Sequence, residues 1–310
     1  MWSACAARCA ADTTGAPPSI RSRRSSSSRP PTPSQQQSDG DIVSGAPHLH
    51  SPAVVKLGGS LITVDGPDGP GVNRDLLTAR ARELAACGRP LALVHGTGAY
   101  GKPPARRYGY LDGRLHRSRA EVVAEVARDL ARLELEVVEC LEAGGLKPLR
   151  LPAIQLFRAR EGKASPLSLA PVAELLARGL TPVIGGNFVF DCDGFAVCSS
   201  DIIAVELALA LEASSLVLAT RARGVHREHG SSEAVHGQLS DSDDEALRKI
   251  DAAGQDVSGG MQAKISHGFR AARRGIATYV VDGRVAGNLS GALAGAPLQG
   301  TRLLAGGAGG

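Results

Sequence analysis

Short apolar runs alternate with segments of helical periodicity from residue 53 onward, and glycine-rich turns join many of them. The apolar runs predict strands over 53–57, 90–94, 148–151, 181–185, 215–220 and 278–281. The helical segments are predicted over 74–86, 119–143, 170–178, 201–211, 243–250 and 262–274. A hairpin is predicted around Asp193-Gly194. Strands that are apolar throughout are typical of a parallel sheet with helices on both faces. The predicted fold class is therefore α/β, with a mainly parallel central sheet.

The first 50 residues have a different composition, dominated by Ser, Pro, Arg, Ala and Gln. They cannot bury enough apolar surface to offset chain entropy, so residues 1–50 are predicted to be a disordered tail. This tail is rich in Arg and Ser and resembles an organellar transit peptide. We favour an ordinary extension, or a start codon assigned too early, because its first residues lack a clear amphipathic helix. Residues 51–310 suit one large domain or two closely packed lobes.

Charge and composition exclude several classes of protein. The formal net charge is +4, and Arg21, Arg23, Arg24 and Arg29 all lie in the tail. The remainder is near neutral and poor in aromatic residues, so a nucleic-acid partner is not expected. No apolar run approaches the ~18 residues of a membrane span. The six cysteines show no zinc-ligand spacing, which favours reduced thiols in an intracellular, cytoplasmic protein.

Three glycine-rich clusters carry most of the chemical information. In each, glycines lie near a lysine: Lys56-Leu57-Gly58-Gly59-Ser60, the segment 95–102 with Gly96, Gly98, Gly101 and Lys102, and Gly259-Gly260 with Lys264. Backbone N–H groups of such turns cradle phosphates, and lysines neutralise them. Any one of these turns is more often an ordinary tight turn with a solvated lysine. Their combination at strand ends and at a helix start favours phosphate binding.

Two other phosphate-binding motifs fit the chain less well. There is no GxxxxGK[ST] segment, which excludes a P-loop enzyme. Gly96, Gly98 and Gly101 match the GxGxxG pattern of dinucleotide-binding folds. However, Pro103 and Pro104 follow closely, and no acidic residue lies at a strand end about 20 positions on. NAD binding is therefore the weaker alternative.

The order of motifs along the chain resembles the amino-acid-kinase superfamily. The matching segments are the three glycine clusters, Pro182-Val183-Ile184, Ser199-Ser200-Asp201 and Gly287-Asn288-Leu289. Within the superfamily the similarity is greatest to isopentenyl phosphate kinases, and it runs from about residue 53 to 304. The resemblance implies an αβα sandwich, usually homodimeric, with an acceptor lobe at about 51–180 and an ATP lobe at about 181–304. It also implies phosphorylation of a small phosphorylated acceptor, with isopentenyl phosphate in isoprenoid biosynthesis as the favoured one.

The resemblance also implies roles for individual residues. The catalytic residues would be Lys56 and Lys264, which stabilise the transferring phosphoryl group, and Asp201, which orders them. The acceptor would be bound by Gly59, Gly96, Thr97, Gly98, Gly101 and Lys102. ATP would be bound by Gly58, Ser60, Thr220, Gly224, Gly259, Gly260 and Lys264. Mg²⁺ would be held largely by ATP itself, and no protein metal site is predicted.

At three places the chain departs from the isopentenyl phosphate kinase pattern. Lys102 stands where those kinases have a histidine that binds the acceptor phosphate. Asn187 follows Gly186 where they have aspartate. The segment 220–224, Thr-Arg-Ala-Arg-Gly with Arg221 and Arg223, replaces their Thr-Asp-x-Asp-Gly. These departures concern the acceptor and the way the nucleotide is held.

Lys102 favours an anionic acceptor, because a phosphate or phosphonate needs no general base and a protonated lysine binds it as a point charge. Ser199-Ser200-Asp201 resembles the corresponding turn of fosfomycin kinase. A kinase of a small phosphonate or another specialised metabolite is therefore the second hypothesis. The third is a catalytically weak nucleotide-binding regulator on the same fold. Candidate pocket walls are Tyr100, Tyr108, Phe157 and the apolar face of 119–143.

Overall fold

An eight-stranded, mainly parallel sheet forms the centre of this computed structural model. The structure describes residues 51–67, 69–227, 234–243, 246–247, 260–296 and 299–306. The strands of the central sheet, in spatial order, are β13 (Gln238–Ser240), β15 (Gly300–Leu304), β14 (Ala277–Asp282), β12 (Ser215–Thr220), β1 (Ala53–Leu57), β4 (Leu91–His95), β9 (Thr181–Gly185) and β6 (Pro148–Arg150). β15 runs antiparallel to β14, and the other neighbouring pairs are parallel. The predicted α/β class with a mainly parallel sheet is confirmed.

Smaller antiparallel sheets account for the other described strands. They are β10 (Asn187–Asp191), β11 (Gly194–Cys198) and β5 (Arg114–His116) in one sheet, the hairpin of β2 (Thr63–Gly66) and β3 (Gly69–Val72), and the hairpin of β7 (Phe157–Arg160) and β8 (Lys163–Pro166). The hairpin predicted around Asp193-Gly194 is confirmed by the β10–β11 pairing. The β2–β3 and β7–β8 hairpins were not predicted, because most of their residues are exposed and give no apolar pattern.

Helices cover both faces of the central sheet. They are α1 (Gly59–Ile62), α2 (Arg74–Ala85), α3 (Lys102–Tyr108), α4 (Ala120–Ala143), α5 (Ala153–Leu156), α6 (Ala170–Ala177), α7 (Ser200–Ala210), α8 (Gly260–Ala272) and α9 (Asn288–Ala294), with short 3₁₀ turns at Gly98–Tyr100 and Arg117–Arg119. One buried apolar cluster joins α2, α4 and α9 to the sheet. A second cluster joins α6, α7 and α8 to its other face. The αβα sandwich is therefore confirmed.

Some predictions fall outside the described residues. These are the tail over 1–50, most of the helix predicted over 243–250, and Gly259. The other predicted helices are present with ends that differ by one or two residues. The two prolines at 103 and 104 lie in the first turn of α3, where a missing N–H costs no hydrogen bond.

The strand register brings four turns to one edge of the sheet. Leu57 at the end of β1 is paired with His95 of β4 and with Ala219 of β12. His95 is in turn paired with Gly185, the last residue of β9. Because parallel strands end together, the turns that follow β1, β4, β9 and β12 meet there. Ligands of open α/β sheets bind at this carboxyl edge.

Candidate active site

A cavity of about 490 Å³ is built from these four turns and from the starts of three helices. Its lining includes Gly58, Gly59 and Ser60 after β1, Gly96, Thr97, Gly98 and Gly101 after β4, Gly186 and Asn187 after β9, and Thr220, Arg221 and Ala222 at the end of β12. Lys102 of α3, Ser200 and Asp201 of α7, and Gly260 and Lys264 of α8 add helix-borne groups. Residues predicted from distant parts of the sequence thus share one cavity.

The glycine turns after β1 and β4 pack backbone against backbone. A β-carbon on Gly59 would lie 2.2 Å from the nitrogen of Gly98, and one on Gly96 would lie 2.4 Å from the nitrogen of Gly59. Thr63 Oγ1 joins the two turns, since it accepts the N–H of Ala99 at 2.9 Å and donates to the Gly59 carbonyl at 2.9 Å. Side chains at these positions would force the turns apart. The glycines are therefore required by the close approach of the two backbones.

The charged centre of the cavity consists of Lys56, Asp201 and Lys264, which we call the lysine–aspartate centre. Lys56 Nζ lies 2.9 Å from Asp201 Oδ1. Lys264 Nζ donates to both oxygens of the same carboxylate, at 2.8 and 3.1 Å. The side chains are buried: Lys56 is 5% exposed, Asp201 is 7% exposed and Lys264 is 11% exposed. One carboxylate thus holds two ammonium groups, which leaves this buried centre with an excess positive charge.

Burial and charge shift the pKa values of this centre in different directions. Burial and repulsion from Lys264 both lower the pKa of Lys56, and the attraction of Asp201 raises it. Burial is the largest effect, so the pKa of Lys56 is lowered to about 8. For Asp201, burial opposes ionisation, but Lys56 and Lys264 overcome it and hold the carboxyl pKa well below its usual range. Asp201 is therefore ionised near pH 7, while Lys56 titrates close to physiological pH. An anionic ligand in the cavity would favour the protonated lysine.

The helix that carries Asp201 presents its N-terminus to the cavity. Ser199 caps α7, its side chain accepting the N–H of Ile202 at 3.3 Å. Ser200 and Asp201 form the first turn and line the cavity. The free N–H groups and the dipole of this helix end add positive potential beside the two lysines.

Part of the lining is an apolar wall, formed by Ala105, Tyr110, Val126, Leu130 and Phe188 of one buried cluster. Tyr110 and Phe188 make an edge-to-face ring contact, with centroids 5.4 Å apart. Val126 and Leu130 belong to the apolar face of α4, so this face both packs in the core and lines part of the cavity.

The predicted aromatic walls were wrong. Tyr100 is buried in the core, and Phe157 is fully buried in the cluster on the opposite face of the sheet. Tyr108 is only partly buried and donates to Glu125 at 2.6 Å. None of the three lines the cavity. Tyr108 is the last residue of α3, and the left-handed Gly109 (φ +71°) separates it from Tyr110, so sequence spacing could not tell which of these two tyrosines lines the cavity.

The segment after β12 forms another border of the cavity. Thr220 Oγ1 accepts the N–H of Ala222 at 2.8 Å, which fixes the turn that exposes Arg221 to the cavity. Arg284 donates to the carbonyl of Arg221 at 2.7 Å and pairs with Asp282 at 2.7 Å. Arg221 therefore places a positive charge at this border, where the isopentenyl phosphate kinase pattern described above predicts an acidic residue.

Gly224 does not line the cavity. Its φ is +156°, and a β-carbon there would lie 2.8 Å from Thr301 Oγ1 of β15. Gly224 therefore serves a close contact with β15 in this structure. Gly259 lies outside the described residues. Apart from Gly224 and Gly259, every predicted site residue lines the cavity.

Two residues near the cavity were missed by sequence reasoning. His267 lines it one helical turn after Lys264, and no motif pointed to that position. Glu134 lies just behind the lining on α4, four residues after Leu130, and is 3% exposed. Its signal was available, because a carboxylate on the apolar face of a helix must find polar partners when buried.

Within the described residues, no cluster of three or more His, Cys, Asp or Glu side chains is placed to hold a metal ion. Asp201 is engaged by two lysines, so it is not a suitable ligand for Mg²⁺ by itself. The described part of the chain also contains no helix long and apolar enough to cross a membrane.

The chain belongs to the amino acid kinase family, whose model matches residues 51–282. It is 29% identical over 266 residues to the isopentenyl phosphate kinase of Methanothermobacter thermautotrophicus, and the alignment covers 81% of this chain and 98% of the archaeal protein. It is 27% identical over 213 residues to the isopentenyl phosphate kinase of Arabidopsis thaliana, covering 61% and 63%. A solved isopentenyl phosphate kinase structure matches with a TM-score of 0.69 at 25% identity, covering 81% of this chain and 99% of the other. The protein is therefore a kinase, a phosphotransferase of this family.

Proposed function

We propose that this kinase transfers the γ-phosphoryl group of ATP to the phosphate of a small organic monophosphate, with isopentenyl phosphate as the favoured acceptor. The observation that carries the proposal is the pair of buried lysines on Asp201, in a cavity that also holds Lys102 and an apolar wall. Cations and helix dipoles suit phosphates, and the apolar wall suits a short hydrocarbon group. The named relatives support this choice of acceptor.

In the proposed reaction, an anionic oxygen of the acceptor phosphate attacks the γ-phosphorus of ATP. The new P–O bond forms as the bond to the bridging oxygen of ADP breaks, and the products are ADP and a diphosphate. No general base is needed, because the attacking oxygen is already deprotonated near pH 7. The protein therefore contributes positioning and charge stabilisation.

The lysine–aspartate centre would supply the charge stabilisation. Lys56 and Lys264 would contact the oxygens of the transferring group, where negative charge concentrates in the transition state. Asp201 would act as a positioning residue that holds both ammonium groups at 2.8–2.9 Å. Without this carboxylate, two buried cations would repel each other in the empty site.

The remaining predicted residues divide between the two substrates. ATP would be bound by the backbone of the turns after β1 and β12 and at the start of α8, with Gly58, Ser60, Thr220 and Gly260 as the proposed residues. The acceptor phosphate would be bound by Lys102 and by the backbone of the turn after β4, with Gly59, Gly96, Thr97, Gly98 and Gly101 as the proposed residues. Mg²⁺ would enter as the ATP complex, since the described residues offer no cage for it.

The decisive experiment is an assay with Mg-ATP and isopentenyl phosphate, in which isopentenyl diphosphate is detected by mass spectrometry. The wild-type protein should form the diphosphate, and a folded Lys264→Ala variant should form far less. No product above that control would contradict the proposed acceptor.

A phosphonate acceptor is the second candidate, and the double serine at 199–200 favours it. Phosphonates and phosphates share the anionic group that Lys102 would bind, so the cavity chemistry alone does not separate them. A parallel screen with isopentenyl phosphate, fosfomycin and a neutral alcohol would separate them by kcat/KM. ATP binding with no turnover of any acceptor would instead support a nucleotide-binding regulator.

A further inference from the structure

Glu134 is a buried carboxylate that the proposed reaction does not use. It lies in the middle of α4, 3% exposed, on the face that also carries Val126 and Leu130. Arg150 of β6 pairs with one of its oxygens, Oε2. The other oxygen, Oε1, accepts from the Asn187 side chain at 3.2 Å. A carboxylate so deeply buried needs such partners, and one of them is a residue of the cavity lining.

The hydrogen bonds of Asn187 determine which way its amide faces. Asn187 Oδ1 accepts the N–H of Phe188 at 2.8 Å, so the oxygen is directed toward its own backbone. Nδ2 must then be the atom that faces Glu134, and it can only donate. An amide nitrogen carries two hydrogens, and Glu134 takes one of them. The second has no acceptor among the described residues.

The position of Asn187 places this amide beside the reacting groups. The preceding residue, Gly186, lies against the start of α7, where a β-carbon on it would be 3.2 Å from the Ser200 nitrogen. Asp201 follows directly in that helix. Asn187 thus follows a residue that lies against the start of α7 and precedes Phe188 of the apolar wall, and all three residues line the cavity.

We infer that Asn187 donates its second amide hydrogen to an anionic oxygen of the acceptor, and that Glu134 is the positioning residue that holds the amide in this orientation. The inference rests on the proposed function, because it assigns the hydrogen bond to the acceptor phosphate. In this chain, where Glu134 is buried against position 187, a neutral donor suits this place better than the aspartate of the isopentenyl phosphate kinase pattern would. An aspartate at 187 would put a second negative charge against Glu134 and against the incoming anion.

His95 does not compete for Glu134 in this arrangement. The His95 ring is buried, and burial lowers its pKa, although Glu134 acts in the opposite direction. A neutral ring with its Nδ1 hydrogen directed to the Gly96 carbonyl leaves the Glu134 charge to Arg150 and Asn187. The ring and Oε1 of Glu134 both lie within 3.0 Å of the point that a β-carbon on Gly185 would occupy. Gly185 is therefore needed for Glu134 to reach Asn187.

The test compares three variants at the pair with one control on the same helix. Asn187→Asp should raise the acceptor KM by roughly 10- to 100-fold, because it replaces a charge-assisted hydrogen bond with repulsion, and should leave the ATP KM unchanged. Glu134→Leu should raise the acceptor KM about tenfold by releasing the amide. Glu134→Gln keeps an acceptor oxygen for Asn187 and should stay within about threefold of wild type. Glu142→Leu, which removes an exposed carboxylate, should change neither KM.

The outcomes separate the inference from the proposed function. If the wild type turns over the acceptor and Asn187→Asp has an unchanged acceptor KM, the inference is overturned and the proposed function stands. An equal loss in both KM values and kcat would also overturn it, since that is the signature of a structural defect. If wild type turns over no acceptor, calorimetric titration with inorganic phosphate takes the place of KM. Weaker phosphate binding by Asn187→Asp would then support the anion contact, and equal or absent binding would overturn it.

Discussion

The lysine–aspartate centre and the rest of the cavity lining are built in different ways. At the centre, three charged side chains lie buried and in contact, so each helps to fix the position of the others. Elsewhere in the lining, Lys102 and Asn187 are half-buried, and apolar residues form a wall. Removing the shared carboxylate of a buried charge cluster is costly, whereas a half-buried side chain can be exchanged at a modest cost.

The departures from the isopentenyl phosphate kinase pattern described above lie outside the centre. Lys102, Asn187 and Arg221 all line the cavity, and none belongs to the lysine–aspartate centre. In the proposed function, the centre would carry the transfer chemistry, and the departing residues would be ones that meet the two substrates. The predictions below test whether the centre and the rest of the lining separate in this way, from the largest expected effect to the smallest.

Asp201→Asn should have the largest effect. It leaves the Lys56 and Lys264 ammonium groups buried without their carboxylate, which costs about 3–5 kcal/mol of unfolding free energy. Urea unfolding at pH 7 measures this loss, with the exposed Asp193→Asn as the control. Because the Asp201 pKa is lowered in the folded state, its contribution is present above the unfolded value of about 4 and is lost as the pH falls. The difference between wild type and Asp201→Asn should therefore shrink in acid. An undiminished difference at low pH would contradict this assignment.

Lys264→Ala should lower kcat by about 10²–10³-fold, because it removes one of two cations at the transferring group. The thermal unfolding midpoint should change little, since Lys56 still neutralises Asp201. Steady-state kinetics with saturating ATP measure the loss. A variant that keeps wild-type kcat would show that the centre does not stabilise the transition state.

Gly98→Ala should destabilise the fold by at least about 1–3 kcal/mol, the cost of a left-handed conformation for a residue with a β-carbon. Its φ is +48°, and the new methyl group would lie 2.1 Å from Thr63 Oγ1 and 2.5 Å from the Gly59 carbonyl oxygen. Gly237→Ala is the matched control, because a β-carbon there meets nothing within 4 Å. Equal unfolding free energies for the two variants would contradict the backbone-contact argument.

Lys102→Ala should raise the acceptor KM by roughly ten- to a hundredfold, since it removes one charge-assisted contact worth about 1.5–3 kcal/mol. The KM for ATP should stay the same. Lys102→His should recover part of the loss below pH 6, where the imidazole is protonated, and less at pH 8. If both variants change the ATP KM instead, Lys102 belongs to the nucleotide side.

The pH profile should show the smallest effect. Lys56 has a pKa lowered to about 8 by burial, so its protonated fraction falls as the pH rises through that value. If only protonated Lys56 supports transfer, kcat/KM should drop about twofold between pH 7 and pH 8. Because Asp201 raises this pKa, the residual activity of Asp201→Asn should fall at a lower pH. A profile that is flat up to pH 10 would show that Lys56 does not titrate in this range.

The regular parts of the fold could be predicted because their signals are local. β12 has the predicted bounds, and α4 differs at one end only, since each is specified by its own apolar periodicity. The two hairpins β2–β3 and β7–β8 had no such signal. The β7–β8 hairpin is held in part from outside, because the side chain of Asp191 in β10 accepts the N–H groups of Glu161 and Gly162 in its turn.

The sequence by itself determined the family and predicted phosphate binding by the glycine turns and lysines, because glycines and lysines at strand ends have few other uses in such an order. Only the tertiary structure decided that Lys56 and Lys264 share one carboxylate, that Gly224 faces β15, and that Glu134 reaches Asn187. These contacts join residues far apart in the chain. They depend on how each helix is rotated and placed against the sheet, which no local pattern specifies.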